Sequence, residues 1–195
     1  MSRWIEPVTL QGRHVRIEPM AEEHLAGLLA AAADGELWKL WYTSVPDPQS
    51  MPTWIADALE QRRQSGAMPF VIRRLDTAEV VGATRYFNVA AANRRLEIGH
   101  TFYGRSVQRT AINTEAKLLL LAHAFEKLDC VGVELRTHFM NHASRRAIER
   151  IGAKLDGVLR SHQVMPDGSL RDTCVYSIIS HEWPAVRNNL AFRLQ

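Results

Sequence analysis

A polar segment that leads directly into an apolar helix is the part of the chain whose residue types best suit chemistry. Residues 104–128 read GRSVQRTAINTEAKLLLLAHAFEKL. The beginning of a helix presents unpaired backbone N–H groups and the positive end of the helix dipole. Because the entering residues are small or polar, this helix start can bind a phosphate, to which Arg109 can add a charge-assisted contact. The alternative is a plain helix start, capped by Asn113 or Thr114.

A second group of polar side chains falls on predicted strands or strand ends that alternation directs toward one cleft. They are His100, Arg136, His138, Arg160 and His162. Arginine and histidine in such positions can bind an acidic or carboxylate-bearing substrate, and an ordinary solvated surface is the alternative interpretation. His138 and His142 lack a third and fourth ligand at suitable spacing, so the sequence does not favour a metal site.

The composition predicts one ordinary globular domain over residues 1–195. The chain has 195 residues, of which 46% are hydrophobic and 23% are charged, and a domain of this length buries about 70% of its unfolded surface. With 24 basic and 21 acidic residues, the charge suits an anionic ligand but indicates neither a nucleic-acid nor a membrane partner. No run of 18 apolar residues and no secretory signal pattern occurs, so we expect a cytoplasmic protein.

The two cysteines are expected to be buried structural thiols. Cys130 and Cys174 each lie beside valine in strand-like sequence, and neither belongs to a Cys-x-x-Cys or Cys/His pattern. This context favours packing over a disulfide, a metal site or a nucleophile.

Elements that would position these side chains can be predicted from periodicity and turn residues. The first half of the chain indicates a strand with a turn at Gly12, a helix, a proline-rich loop, a second helix closed by Gly66, and three further strands. Their predicted ranges are 8–20, 21–41, 45–52, 53–66, 68–75, 80–90 and 94–103.

The second half continues the mixed order of helices and strands. The helix within residues 104–128 has an apolar stripe that should pack on a sheet, formed by Leu118, Leu121, Ala122, Phe125 and Leu128. A strand over 130–139, a helix capped by Asn141 and ended by Gly152, and a hairpin over Pro-Asp-Gly follow. This order predicts helices around one sheet, without repeats.

Residues 96–162, followed by DGSLRDTCVYSI at 167–178, resemble the GNAT acetyltransferase superfamily, in the branch similar to ribosomal-protein N-terminal acetyltransferases. The resemblance covers most of the chain and is weakest over residues 35–65. It implies an α/β (α+β) fold: a single GNAT-like domain with a mixed, mostly antiparallel central sheet flanked by helices, splayed between its fourth and fifth strands.

The resemblance also implies that acetyl-CoA is the acyl donor and that its pyrophosphate lies on the turn after the fourth strand. The family's Q/R-x-x-G-x-G/A pattern is matched by Gln108, whereas Ala111 and Asn113 stand where glycines are common. Because alanine disfavours positive φ while asparagine tolerates it, we expect an altered backbone path that still binds the cofactor. The implied cofactor-binding residues in this turn are Gln108, Arg109, Thr110, Ala111, Ile112, Asn113 and Thr114.

For the remaining site residues, the resemblance implies that Asn141 holds the pantetheine arm and that Ser144 lies near the sulfur. Backbone N–H groups around Phe102 and Tyr103 would meet the thioester carbonyl. Glu97 is the implied general base, with Glu134 as second choice, although either carboxylate can simply form a salt bridge. Ser144 and Tyr103 are candidates to assist the leaving thiolate.

The acceptor is left open as a primary amine: a protein N-terminus, an amino acid, a polyamine or an amine-bearing drug. A catalytically decayed CoA-binding or interaction domain of the same fold is the alternative function.

A nucleic-acid binder is disfavoured because no helix-turn-helix spacing precedes the basic helix at 141–154. A dinucleotide-binding oxidoreductase is disfavoured because no G-x-G-x-x-G motif follows the first predicted strand. Trp183, Leu190 and Phe192 can cover the core or meet a second subunit in a homodimer.

Overall fold

The computed structural model describes residues 4–195, and its strands form one eight-stranded sheet. The strand order is β1-β2-β3-β4-β5-β6-β8-β7, and every neighbouring pair is antiparallel except β5 and β6. The strands are β1 Leu10–Gln11, β2 Val15–Pro19, β3 Met68–Arg74, β4 Val80–Ala90, β5 Arg95–Tyr103, β6 Gly132–His138, β7 Lys154–Val164 and β8 Leu170–Ile179. This is the mixed, mostly antiparallel sheet that the sequence predicted.

Helices cover both faces of the sheet. They are α1 Leu25–Ala33, α2 Met51–Ser65, α3 Ala111–Ala122, α4 His142–Arg150 and α5 Trp183–Phe192, and α3 continues into one π-helical turn, His123–Lys127. One apolar core joins α3 and α5 to residues such as Tyr86 and Ile98. A second core joins α1 and α2 to Ala83 and Phe102 on the opposite face. The sheet therefore separates two packed layers.

Local sequence signals predicted most element boundaries. β4 has the predicted bounds, and Asn141 caps α4 by accepting a hydrogen bond of 3.0 Å from the Ser144 N–H. The first predicted strand is in fact the β1–β2 pair, so the fourth predicted strand is β5. The first predicted helix is too long: it ends at Ala33 because Gly35 and Glu36 adopt left-handed φ angles of 95° and 46°.

β5 and β6 are paired over only three residues, which is the predicted splay. Arg95, Leu96 and Glu97 pair in parallel with Gly132, Val133 and Glu134. Beyond these pairs, residues 98–103 of β5 have no strand partner on that side, while β6 stays paired with β8 as far as His138. We call the opening between residues 98–103 and 135–138 the β5–β6 cleft.

Helix α3 fully buries only Leu121 of the stripe that its leucines suggested. Its buried residues are Ile112, Thr114, Glu115, Ala116, Lys117, Leu120 and Leu121. Of the predicted stripe, Leu118, Ala122, Phe125 and Leu128 are only partly buried. The Phe125 ring stacks on Trp183 of α5 with the centroids 5.4 Å apart. The face toward the sheet is thus rotated, and it includes charged residues, because α5 covers part of the leucine-rich side.

Glu115 anchors α3 to the turn between β1 and β2. Its carboxylate accepts hydrogen bonds from the backbone N–H groups of Arg13, His14 and Val15, at 2.7, 2.6 and 2.8 Å. A Cβ atom at Gly12 would overlap the Glu115 carboxyl group, so only glycine allows this approach. The bonds fix where α3 begins relative to the sheet.

Replacing Glu115 with glutamine is expected to lower the free energy of unfolding by about 2 kcal/mol, because one acceptor oxygen becomes an NH₂ group that faces backbone donors. Urea denaturation of the purified variant measures this loss. The exposed Glu79 provides a control, since Glu79→Gln should change stability by less than about 0.5 kcal/mol. Equal stability of the two variants would show that the three hydrogen bonds do not stabilise the fold.

The two cysteines and part of the C-terminal helix are buried in the core. Cys130 and Cys174 are buried and unpaired, as predicted, and burial raises the pKa of the Cys130 thiol to about 12. Trp183 and Leu190 of α5 are buried, whereas Phe192 is 73% exposed. Trp183 and Leu190 therefore cover the core.

Among residues 4–195 no helix has the length and apolar character to cross a membrane.

Candidate active site

The turn between β5 and α3 is held in place by Asp34 at the end of α1. The Asp34 carboxylate accepts hydrogen bonds from the Ser106 N–H at 2.9 Å and the Ser106 hydroxyl at 2.6 Å. The Asp34 carbonyl accepts the Arg105 N–H at 2.9 Å. Asp34 and Ser106 are 72 positions apart in the chain, which is why the role of Asp34 could not be predicted from local sequence.

Thr110 begins helix α3, and the predicted caps Asn113 and Thr114 do not. The Thr110 hydroxyl accepts a 3.3 Å hydrogen bond from the Ile112 N–H and donates to the Val107 carbonyl at 2.7 Å. Thr114 lies inside the helix, where its hydroxyl accepts from Arg150 at 3.1 Å. Gln108 donates to the Tyr103 carbonyl at 2.9 Å. The turn is therefore internally braced just ahead of the helix N-terminus.

The backbone of this turn places its left-handed residue at Arg109, with φ of 63°. Ala111 and Asn113 are helical residues. Neither position needs glycine's freedom at positive φ, so the departure from the glycine-rich pattern carries no backbone strain there. The first N–H groups of α3 have no partners within the helix, and this end of the helix carries partial positive charge.

A network of two carboxylates and their partners lies where the cleft opens. Glu97 and Glu134 form the last pair of the β5–β6 ladder. The Glu97 carboxylate accepts a 2.8 Å hydrogen bond from the Asn88 side chain and lies 3.3 Å from Arg136. Glu134 binds Arg136 at 2.8 Å and Arg95 at 3.1 Å. Both carboxylates are therefore fixed in orientation at the apex of the cleft.

The two carboxylates differ in their proton affinity. Glu97 is 4% exposed, and burial raises its pKa above the ordinary value, an effect that the Asn88 hydrogen bond and Arg136 offset only in part. Burial also acts on Glu134, but hydrogen bonds from Arg136 and Arg95 outweigh it and hold the pKa of that carboxyl below its usual value. Of the two, Glu97 has the environment of a proton acceptor.

Phe102 and Tyr103 lie on opposite faces of β5. Phe102 packs in the α1–α2 core, edge-to-face with Trp54 at 6.0 Å between centroids. Tyr103 packs in the core beside α3, where its hydroxyl has no hydrogen-bond partner among residues 4–195 and burial raises its pKa. Both residues pair with β4 on one edge, opposite Ala83 and Gly82. Their other edge faces the β5–β6 cleft.

A β-bulge that the sequence did not predict lies in β5 beside this edge. Ala83 pairs with Phe102 and Arg85 with Gly99, so Thr84 faces two residues, His100 and Thr101. His100 has a φ of 48°, in the left-handed region. Bulges of this kind re-aim side chains and amides and occur often beside active sites.

Asn141 and Ser144 lie at the start of α4, directly after the end of β6. The Asn141 side-chain oxygen accepts the cap hydrogen bond, so the NH₂ group of the same side chain takes no part in the cap. The Ser144 side chain is partly buried. The cap that the sequence predicted is therefore confirmed, and it joins the Asn141 side chain to the Ser144 backbone.

Of the five candidate acceptor-binding residues, His100 lies in the β5 bulge described above, and the other four divide into two groups. Arg136 belongs to the carboxylate network, and His138, at the end of β6, accepts the Met140 N–H at 3.0 Å and contacts the Trp41 ring at 5.2 Å. Arg160 instead pairs with Asp172 on β8 at 2.5 Å, and His162 lies 3.2 Å from the Thr173 hydroxyl. Both of these lie on β7, the strand at the edge of the sheet.

A cavity of about 470 Å³ adjoins Glu97 on the face of the sheet that α2 covers. Its lining residues are Gln61, Ser65, Phe87, Asn88, Val89 and His100. Asn88 lines the cavity and also donates to Glu97, so the carboxylate lies next to the space. Among residues 4–195 no cluster of three or more His, Cys, Asp or Glu side chains could hold a metal ion.

Comparison with known proteins gives matches over most of the chain. A family model described as "Acetyltransferase (GNAT) domain" matches residues 14–154. The uncharacterized N-acetyltransferase YoaA of Bacillus subtilis (strain 168) is 30% identical over 108 residues, which are 55% of this chain and 60% of the length of YoaA.

Solved structures extend the likeness to nearly the whole chain. A provisionally assigned acetyltransferase from T. thermophilus has 34% identity, with 98% of this chain and 100% of that chain covered, at a TM-score of 0.85. Mycobacterium smegmatis RimJ in complex with CoA-disulfide shares the fold at 23% identity, with 96% and 95% covered and a TM-score of 0.80. The Salmonella typhimurium acetyl transferase that modifies the N-terminal serine of ribosomal protein L7/L12 shares it at 16% identity, with 88% and 99% covered and a TM-score of 0.77.

Proposed function

The chain belongs to the GNAT acetyltransferase family, and from that premise we propose that it transfers an acetyl group from acetyl-CoA to a primary amine, with the α-amine of a protein or peptide N-terminus as the favoured acceptor. The observation that carries the proposal is the β5–β6 cleft with the buried Glu97 at its apex. The chemistry needs an acyl donor and a proton acceptor to meet at one opening, and in this proposal the donor enters the cleft that has Glu97 at its apex.

The residues around the cleft fit an acyl-CoA. Residues 108–114 would hold the diphosphate, since they combine the braced turn, Arg109 and the α3 N-terminus. The free edge of β5 at Phe102 and Tyr103 would hold the pantetheine arm together with Asn141, and Ser144 would lie near the sulfur. The buried Tyr103 hydroxyl has no hydrogen-bond partner among residues 4–195, and a bound donor would supply one. When bound, the donor supplies an activated acetyl thioester.

Glu97 is the residue that would take the proton from the attacking amine. Its raised pKa makes it a better proton acceptor than an exposed glutamate, while Asn88 and Arg136 keep it oriented. N–H groups on the free edge of β5 would stabilise negative charge on the carbonyl oxygen. Ser144 and Tyr103 would assist the leaving sulfur.

An α-amine suits this carboxylate better than a lysine side chain does. An α-amino group has a pKa of about 8 and a lysine amine about 10.4, so only the first is appreciably neutral at neutral pH. The cavity beside Glu97 has amide, hydroxyl and imidazole groups from Gln61, Ser65 and His100, which can bind the backbone of an extended peptide. The Salmonella typhimurium enzyme that shares the fold and modifies the N-terminal serine of L7/L12 supports the same acceptor class.

Calorimetric titration with acetyl-CoA and CoA, followed by a thiol-release assay over a panel of amines, tests the proposal. We expect binding of both ligands and turnover on N-terminal peptides in preference to lysine, polyamines or amine drugs. Binding without turnover on any amine would instead indicate a catalytically decayed CoA-binding domain. Absence of binding would overturn the function altogether.

A further inference from the structure

Lys117 of α3 is a buried amine that the proposed mechanism does not use. Its side chain is 6% exposed and points to the sheet. The ammonium donates one hydrogen bond, of 3.3 Å, to the Thr101 hydroxyl on β5. The Thr101 hydroxyl is also 2.8 Å from the Thr84 hydroxyl on β4. Burying an ammonium without an opposite charge is costly, so the position needs an explanation.

Thr101 connects this amine to the cleft. It lies in the bulge of β5, within residues 98–103 that have no partner on the β6 side, and it is exposed. Lys117 approaches the same residue from the α3 side. The Thr101 backbone therefore borders the opening where the proposed thioester would react, and its hydroxyl is the group that the Lys117 amine contacts.

No acid balances the charge of Lys117 within residues 4–195. The titratable groups on the elements around it include Arg85 and Tyr86 on β4, Glu97, His100 and Tyr103 on β5, Glu115 and His123 on the α3 helix and its π-helical turn, and Arg150 of α4. The two carboxylates among them are bound elsewhere: Glu115 accepts the N–H groups of the β1–β2 turn, and Glu97 accepts from Asn88 and lies beside Arg136. Burial lowers the pKa of the Lys117 amine to about 7, and no neighbouring charge contributes to that shift.

We propose that Lys117 is a positioning residue for the acyl-transfer reaction, which acts through the Thr101 hydroxyl to stabilise negative charge in the β5–β6 cleft. The inference rests on the proposed function. In the step, the amine nitrogen forms a bond to the acetyl carbon, the carbon–sulfur bond breaks with its electron pair on sulfur, and the amine proton goes to Glu97. The bound anionic donor favours the ammonium form of Lys117 throughout the step, and because the ammonium donates to the Thr101 oxygen, the Thr101 hydroxyl is left to act as a donor.

Two measurements on the protein test this role. NMR titration of the ¹⁵N-labelled Lys117 amine without and with saturating CoA should show its pKa rise by at least about one unit on binding, because the added charge is negative. Lys117→Met, which preserves the bulk of the chain, should lower kcat about tenfold with the KM for the amine unchanged. Thr101→Val should do the same, and the double variant should lose no more than either single one.

The exposed Lys127, in the π-helical turn that continues α3, provides the control, since Lys127→Met should leave kcat unchanged. A purely structural Lys117 would alter unfolding but not the pKa response to CoA. CoA binding with no change in the Lys117 pKa, or full kcat in Lys117→Met, would overturn the inference while leaving the proposed function intact. Failure of CoA to bind the native protein would instead remove the proposed function, and this inference with it.

Discussion

Replacing Thr110 and Ala111 together with glutamate is expected to weaken acetyl-CoA binding by at least about 100-fold while the fold persists. Each of the two carboxylates would repel the diphosphate with an electrostatic energy on the order of 1–3 kcal/mol at separations near 5 Å, for effective dielectric constants between those of protein and water. The same carboxylates suit the positive end of α3, which compensates for the lost Thr110 cap. Calorimetric titration measures the affinity, and circular dichroism verifies the fold.

Matched neutral substitutions separate charge from size in this experiment. Thr110→Gln combined with Ala111→Gln adds the same bulk without charge, and we expect it to weaken binding less than about tenfold. If the glutamate pair leaves the affinity unchanged, the donor does not bind at the start of α3. If both pairs abolish binding equally, bulk rather than repulsion is responsible.

Replacing Glu97 with glutamine is expected to lower kcat about 100-fold and to change the affinity for acetyl-CoA less than twofold. General-base catalysis contributes on the order of 10²–10⁴ in rate, and glutamine keeps the shape while it removes the proton acceptor. The carboxylate must be ionised to act, so activity rises as pH increases through its pKa. Because burial raises that pKa, this rise should lie above the range of an ordinary glutamate. The Glu97→Gln variant should lose this rise of activity with pH.

Glu134→Gln is the matched comparison for Glu97→Gln. Glu134 is held by Arg95 and Arg136 and has a lowered pKa, so its loss should reduce kcat less than about fivefold. A larger loss for Glu134→Gln than for Glu97→Gln would transfer the role of base to Glu134. Pre-steady-state thiol release, with the amine concentration varied, distinguishes a slower chemical step from weaker acceptor binding.

Elements defined by neighbouring residues could be predicted from the sequence. Asn141 as a helix cap needs only the three residues after it, and the strand over 80–90 needs only its own pattern. The start of α3 could not be chosen in the same way, because Thr110, Asn113 and Thr114 are all capping residues within five positions. Thr110 takes the role because its hydroxyl also reaches the Val107 carbonyl, which depends on how the preceding turn folds.

The candidate site was predicted only where single residues carried the signal. Glu97 came from the family resemblance, but its partners Asn88 and Arg136 come from other strands and are not adjacent to it in the sequence. The burial of Lys117 was not predicted, because a lysine in a leucine-rich helix ordinarily marks the solvated face. The spacing of Ile112, Ala116 and Leu120 was the available sign that another face of α3 meets the sheet.

The link between Glu115 and the β1–β2 turn has a consequence for the order of events during synthesis. Its hydrogen bonds join residues 100 to 102 positions apart. The turn leaves the ribosome before α3 does, so its three N–H groups must remain hydrated until that helix has also emerged. Contacts of such long sequence separation slow folding, because the chain must close a large loop before they form. The N-terminal hairpin is therefore expected to complete its folding late, together with the helix that begins the proposed donor site.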